Sequence, residues 1–298
     1  MAQKSVIAEE LAALNSLKEL AQSYEEIAVV RMQKIKDSVL KTRDFLSKIS
    51  DVYVDLKSSY EIEVKDLIDR QKKGDTTLLT SLQKNGKTLY VYLASNGKLY
   101  GAVTQKTYRL FIKDVRNAPD LKNIDLIIIG KAGKEMYDGA GFNKPYEYVE
   151  IPDTTVEIEH IKVLMQKFLK YEKVYIYYGK FGNVVTQSPI TTSISGDDIF
   201  ETEVVAKTLR DDRFIFEPTL QKIFHFFETQ IMANLFSQTL LENQLARHAS
   251  RVNAMEEALG HIEEESKRVN LVKNRLKHLM QNKKQLETIS GVLGLLNE

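Results

Sequence analysis

Glycines that bare backbone N–H groups, followed by a lysine and a hydroxyl residue, are how a loop cradles phosphate and magnesium. The nearest approach in this chain is Gly130-Lys131-Ala132-Gly133-Lys134-Glu135. Its spacing is wrong, and Glu135 stands where the magnesium-binding hydroxyl belongs. Gly139-Ala140-Gly141 has part of the spacing of a dinucleotide loop but does not directly follow an expected strand. Both sets read as turn glycines. The five histidines (160, 225, 248, 261 and 278) show no close ligand spacing, and His160 and His261 read as packed or solvated beside helix stripes. Neither an HExxH nor a GxSxG pattern occurs. Glu263 and Glu265 stand beside Lys267 and Arg268, as on a solvated charged face. The chain has no cysteine, which excludes thiol nucleophiles, disulfides and Cys-ligated zinc. We expect no catalytic residue, no cofactor and no metal.

The totals narrow the class of protein. Lys plus Arg is 42 and Asp plus Glu is 41, a balance that gives no electrostatic reason for a nucleic-acid partner. Hydrophobic residues make up 43%, enough for a globular core. The start, MAQKSVIAEELAAL, carries Glu9 and Glu10 and lacks the apolar core of a secretory signal. The densest apolar runs, such as Asp125–Gly130, are far shorter than the ~20 residues of a membrane span. A soluble protein is expected, reaching a membrane only through a partner.

Helix breakers show how the elements are arranged. All five prolines (119, 145, 152, 189 and 218) fall between two proline-free ends, and glycine is absent from 1–73 and 197–259. Missing donors and backbone freedom make these residues helix punctuation. In the first segment Ile35, Val39, Thr42, Leu46, Ile49, Tyr53, Leu56 and Tyr60 alternate steps of four and three, a heptad seam. Ile7, Leu11 and Leu14 share its frame. Lys18 and Glu25 then occupy seam positions, so a slip is expected, with Leu17, Leu20, Tyr24 and Ile27 carrying a displaced stripe. A helix over 5–72 would be roughly 100 Å long and needs a partner along its length. The last segment supplies one. Pro218 suits a first helical turn. Leu245, Ala249, Val252, Met255, Leu259, Ile262, Ser266, Val269, Val272, Leu276 and Leu279 form a second seam, below a heavier apolar surface of Phe224, Phe226, Phe227, Ile231, Leu235 and Phe236. Gly260 weakens this helix by about 1 kcal/mol relative to alanine, which a long helix tolerates.

The middle alternates strand and helix. Leu89–Ala94, Asp125–Gly130 and Lys173–Tyr178 read as strands, with weaker ones at Ser188–Ile194 and Glu203–Ala206. Thr107–Arg116 and Val156–Tyr171 read as helices. Such alternation implies a parallel sheet. The expected fold is therefore α/β plus long coiled coil. An N-terminal helix (1–74) and a C-terminal helix (213–298) form an antiparallel coiled coil, with a Rossmann-like α/β domain (75–212) inserted between them.

This architecture resembles the gamma subunit of F-type ATP synthases. Phe216-Glu217-Pro218 resembles the family's opening of the C-terminal helix, and Leu241–Met255 is similar to the stretch that follows. Asn274, Glu287, Ile289 and Gly291 fall near its closing pattern. Ile127–Gly133 resembles the family's IGSKG, Ser95–Gly101 takes the place of DRGLCGG, and Lys180-Phe181 with Gln187-Ser188-Pro189 resembles its KF…QxP. These matches are colinear over nearly the whole chain. Departures lie at Tyr24–Lys34, where most of an N-terminal motif is lost. They lie also at Lys277, His278, Gln281 and Asn282, which replace the family's Arg-Gln and Ile-Thr grip on a catalytic loop. Lysine does not reproduce an arginine's bidentate grip. The departures point to a divergent branch, such as a specialised F-type-like ATPase.

The resemblance implies a non-catalytic rotor shaft inside a three-plus-three ring of alpha- and beta-like ATPase subunits. The α/β foot would meet an epsilon-like or rotor partner, and the assembly would lie cytoplasmic, peripheral to the inner face of the cell membrane. Arg31, Lys34, Lys36, Arg275, Lys277, His278, Gln281 and Asn282 become candidates for contact with the ring. Ile289, Val292, Leu293, Leu295 and Leu296 become an apolar bearing tip. A non-rotary coiled-coil scaffold with a partner-binding α/β domain, and an enzyme using the α/β cleft, are the alternatives.

Overall fold

The computed structural model describes residues 2–59, 84–154, 158–194 and 220–296; at 2–3, 50, 53–59, 158, 220–225, 227–228 and 291–296 it describes the backbone alone. Helix α1 (Ala2–Ser59) comes first, followed by β1 (Thr88–Leu93), α2 (Ala102–Asn117), β2 (Ile124–Ile129), α3 (Lys131–Gly139) and β3 (Glu147–Val149). Then come α4 (Ile158–Phe168), β4 (Lys173–Phe181), β5 (Gln187–Ser193) and α5 (Leu220–Leu296). The expected strand at Glu203–Ala206, the Pro218 helix start and the part of the first helix beyond Ser59 lie outside the described residues. Two compact units result, Met1–Val29 with Arg251–Glu298, and Val30–Ser250.

The larger unit is built on one sheet of order β3-β2-β1-β4-β5. Strands β1, β2, β3 and β4 are parallel, and β5 returns antiparallel to β4. The sheet is therefore mixed, which corrects the all-parallel expectation. Five residues, 182–186, separate β4 from β5; they suffice for a hairpin, whereas a parallel crossover needs a dozen or more. Two elements were unforeseen. Strand β3 is three residues long, too short for periodicity. Helix α3 runs through the glycine pair read as a turn: Gly130, at φ 99°, is the turn, but Gly133 lies inside the helix. Helix α2 starts at Ala102, ahead of the expected Thr107, because Gly101 at φ 66° turns the chain into it.

Alternation along the strands gives the sheet two apolar faces. On one, Leu89, Val91, Leu93, Ile127, Ile129, Val174 and Ile176 pack with Leu164, Met165 and Phe168 of α4. Met232, Phe236 and Leu240 of α5 join the same cluster. Phe168 and Phe236 meet edge to face at 5.1 Å. On the other face Tyr92, Leu126, Ile128 and Tyr177 pack with Phe111, Ile112 and Val115 of α2 and Tyr137 of α3. Burial pushes the Tyr92 and Tyr177 phenols far up, so both stay neutral, and Tyr92 donates to the Thr104 carbonyl at 3.0 Å. Thus α5 enters as a layer of the α/β core, carried by the apolar residues foreseen at Ile231, Leu235 and Phe236. Phe226 of that group is instead 59% exposed.

In the smaller unit the seam of α1 holds one frame. Ile7, Ala21 and Ala28 are buried, and Leu11, Leu14, Lys18 and Glu25 are half-buried between them. Leu17, Leu20 and Ile27 are about half exposed, at 51%, 52% and 47%. The expected slip does not occur. Lys18 can occupy a seam position because its stem lies along the seam while Nζ reaches Glu263 Oε1 at 3.1 Å. The Arg251 guanidinium lies 5.6 Å from the Tyr24 ring centroid. Moving up α1 from 18 to 24 moves down α5 from 263 to 251, so the pairing is antiparallel. On α5, Val252, Met255 and Val269 are buried, whereas Val272 and Leu279, expected in the seam, are 47% and 63% exposed. Counting outward from the Lys18–Glu263 pair, Ile7 is level with about residue 274, and it is the first buried side chain of α1 among the described residues.

Candidate functional site

The strand order reverses between β1 and β4, and the crevice beyond the carboxyl ends of such strands is where doubly wound sheets hold ligands. Here α5 fills it. Leu240, Asn243, Arg247 and Ser250 follow one another by three, four and three residues, one stripe on the helix. Asn243 bridges the two diverging strands: its Nδ2 donates to the Leu93 carbonyl at 3.2 Å, and its Oδ1 accepts from Gly179 N–H at 3.1 Å. One turn on, Arg247 Nη1 donates to the Ala94 carbonyl at 3.1 Å and to Asp153 Oδ1 at 2.6 Å. Its guanidinium also lies 5.0 Å from the Tyr100 ring centroid. Ser250 Oγ stands 3.4 Å from Val103 N–H, at the start of α2.

Asp153 is the hub. Besides Arg247 it accepts the Gly97 amide at 2.8 Å and the Asn96 amide at 3.1 Å. Burial pushes its carboxyl up, but Arg247 and the two amides outweigh burial and hold it below the usual carboxylate value. The loop it ties down is tightly wound: Leu99 has φ 64° and Gly101 φ 66°. A Cβ on Gly101 would lie 2.4 Å from the Ser250 carbonyl oxygen, so only glycine lets the loop approach α5 this closely. Beside the stripe, Glu242 is 2% exposed and accepts both Arg43 Nε and Nη2 at 2.9 Å, joining α1 to α5 within the larger unit.

The phosphate-binding parts weighed in the sequence are committed elsewhere. At the start of α3, Lys131 N–H donates to Asn96 Oδ1 at 3.0 Å and Ala132 N–H to the Ser95 carbonyl at 2.8 Å. Those amides are thereby unavailable to an anion. Gly133 lets α3 lie against the sheet, where a Cβ would meet Ala94 Cβ at 2.6 Å. The space left between α5 and the strand ends is about 20 Å³, room for about one water molecule. No group of side chains suited to a metal occurs among the described residues.

The ring-contact candidates fall on two helices. On α1, Arg31 is half-buried, and Lys34 and Lys36 are exposed. Helical geometry puts Arg31 and Lys34 on one side and Lys36 on another. On α5, Arg275, Lys277, His278, Gln281 and Asn282 are all exposed. Arg275, His278 and Asn282 share one face; Lys277 and Gln281 share the neighbouring one. None of the five cations takes an ion-pair partner among the described residues. Of the tip, Ile289 is 56% exposed; the side chains of Val292, Leu293, Leu295 and Leu296 lie outside the described residues. The sequence marked Asn243 and Arg247 only as part of the Leu241–Met255 stretch, without a role, and did not single out Asp153. A signal existed, since Asn243, Arg247 and Ser250 share a helix face, but their partners lie far away in the chain.

Comparison with known proteins places this architecture. The model of the ATP synthase family matches residues 3–292. The ATP synthase gamma chain of Cytophaga hutchinsonii is 21% identical over 298 residues, covering 96% of this chain and 97% of that one. That of Chloroherpeton thalassium is 24% identical over 271 residues, 84% of each chain. That of Pelotomaculum thermopropionicum is 20% identical over 250 residues, 82% of each. Among solved structures, a chain of the Euglena gracilis mitochondrial ATP synthase (OSCP/F1/c-ring, rotational state 3) superposes with a TM-score of 0.63 at 14% identity, covering 99% of this chain and 95% of that one. A chain of the Tetrahymena thermophila mitochondrial ATP synthase central stalk/c-ring gives 0.55 at 17% identity, covering 80% and 99%. These two likenesses concern the fold. Because the family model spans the chain from residue 3 to residue 292 and the relatives align along most of their own length, the chain belongs to the ATP synthase family and stands with its gamma chains.

Proposed function

We propose that this chain is the central rotor shaft of a rotary F-type or F-type-like ATPase, carrying torque between a ring of alpha- and beta-like subunits and a foot-side partner. The observation that carries the reading is the full-length family match on a chain whose α5 is one helix of 77 residues. That single helix is both a layer of the α/β core and a strand of the antiparallel seam. A shaft needs such continuity: torsion applied to one end of a helix reaches the other through covalent bonds and hydrogen bonds, without a hinge. Among the described residues no helix is long and apolar enough to cross a membrane.

The finer assignments follow from the same reading. Residues 1–74 and 213–298 would form the shaft and 75–212 the foot. The chain would be non-catalytic, with ATP hydrolysed in the ring; this reading is supported by α5 occupying the crevice at the β1/β4 strand ends of the described sheet. Arg31, Lys34, Lys36, Arg275, Lys277, His278, Gln281 and Asn282 would meet polar or acidic loops of the ring. Ile289, Val292, Leu293, Leu295 and Leu296 would turn in an apolar bearing. The assembly would be peripheral to the inner face of the cell membrane, through the complex. The test is purification of the tagged full chain from its own cells. One copy should be recovered with each three-plus-three ring. Recovery as a lone homodimer would overturn the rotor in favour of a scaffold.

A further inference from the structure

Helix α2 buries Val103, Thr107, Phe111, Ile112 and Val115. Its opposite side carries Lys106, Arg109, Lys113 and Arg116, all exposed. Steps of three, four and three residues place the four within about 80° of one another around the axis, in a row about 15 Å long. Ala102, also exposed on that arc, and Gln105 and Asn117, exposed just beyond its two edges, are uncharged. No carboxylate lies within ion-pair distance of any of the four among the described residues. Elsewhere in the α/β core three cations do take carboxylate partners, Lys87 with Asp125, Lys98 with Glu135 and Lys167 with Glu147. The chain as a whole is near neutral, at +1, so the α2 row is a local concentration of positive charge. The helix dipole favours cations in the last turn, which accounts for Arg116 but not for Lys106, Arg109 or Lys113 further back.

We infer that this face of α2 docks an acidic protein surface, a row of Asp and Glu side chains in a neighbouring subunit. The inference rests on the chain being a subunit of a larger assembly, as proposed above. A protein is favoured over a membrane because the arc holds no large apolar residue to enter the acyl boundary. It is favoured over nucleic acid because the row is one helix wide and has no exposed aromatic ring for stacking. Each pair alone would contribute little; the row acts through several charges at once and selects the partner.

The experiment places the photo-crosslinker p-benzoylphenylalanine at Asn117, and in a second strain at Gln105, in the full chain in its own cells. Cells are irradiated before lysis, and adducts are mapped by mass spectrometry. The expected result is an adduct to one protein segment rich in Asp and Glu. The triple variant K106E/R109E/K113E should lower its yield about tenfold, and exchanging the acids of the adducted segment for lysine should restore it. The neutral triple variant K106Q/R109Q/K113Q should fall between, and thermal melts confirm that each variant folds. No adduct from either position, an adduct to lipid, nucleic acid or an uncharged segment, or a yield indifferent to charge reversal would overturn the inference. Copurification of alpha- and beta-like chains is scored in the same preparations. Its absence refutes the rotor reading; its presence beside a charge-insensitive α2 refutes the docking face alone.

Discussion

Arg247 and Asp153 are 94 residues apart in sequence and meet with side chains only 6% and 16% exposed. Removing one partner of such a pair leaves the other charge buried and uncompensated, which costs far more than the pair contributes when intact. Arg247→Ala should therefore destabilise the larger unit by roughly 3–5 kcal/mol in denaturant titration; a loss under 1 kcal/mol would mean that water replaces the guanidinium freely. The pH dependence has a definite sign. The folded Asp153 carboxyl lies below its ordinary value of 3.8, so its contribution is complete above that value. It is lost as pH falls through the folded value, because the unfolded chain takes up the proton first. Asp153→Asn should flatten that part of the acid decline in melting temperature and leave the profile near neutral pH parallel to wild type. Gly101 acts through space and backbone together: its φ is 66° and the Ser250 carbonyl blocks a Cβ. Gly101→Ala should cost about 2–4 kcal/mol, whereas Gly139→Ala, with open space around it, should be close to neutral.

At the scale of elements, the heptads of α5 and the apolar runs of β1, β2 and β4 were legible because burial imposes a period on sequence. Where burial is carried by small or amphipathic side chains, the period hides. Ala21 and Ala28 hold the α1 seam while larger residues at 17, 20 and 27 point elsewhere, so hydrophobicity alone suggested a slip that packing does not make. The β5 direction depended on the length of a turn, and α3 on a glycine whose role is close approach to the sheet. The polar contacts between α5 and the strand ends were the least legible, because Asn243, Arg247 and Asp153 are polar residues whose burial is justified only by partners distant in the chain. The seam can be tested directly. Ala28→Leu puts a larger side chain into a site that is fully buried and should destabilise by about 1–3 kcal/mol. Leu20→Gln changes a half-exposed position and should stay within about 0.5 kcal/mol. Melting curves giving the reverse order would restore the slipped frame.

At the scale of the whole molecule, the two units bury different material. The larger has two sheet faces of Leu, Ile, Val, Phe and Tyr. The smaller relies on a narrow seam whose buried apolar residues, among those described, are Ile7, Ala21, Ala28, Val252, Met255 and Val269. Stability need not be uniform across such a chain, and amides of α1 before residue 29 should exchange with solvent well before those of β1 and β4. The far end of α5 extends this logic. Among the described residues Leu276 is the last half-buried one, and every side chain from 277 to 290 is exposed. Ending the chain after Met280 removes no buried side chain among the described residues. The melting temperature should therefore change by no more than about 2 °C. Under the rotor proposal, the exposed side chains at the end of α5 would meet the bearing of the ring. The truncated chain should still copurify with alpha- and beta-like subunits through the remaining shaft, but with lower recovery and a higher salt sensitivity than the full chain. A truncation that unfolds the smaller unit would show that the end of α5 is structural. One that folds and assembles indistinguishably from the full chain would remove the bearing tip from the proposal.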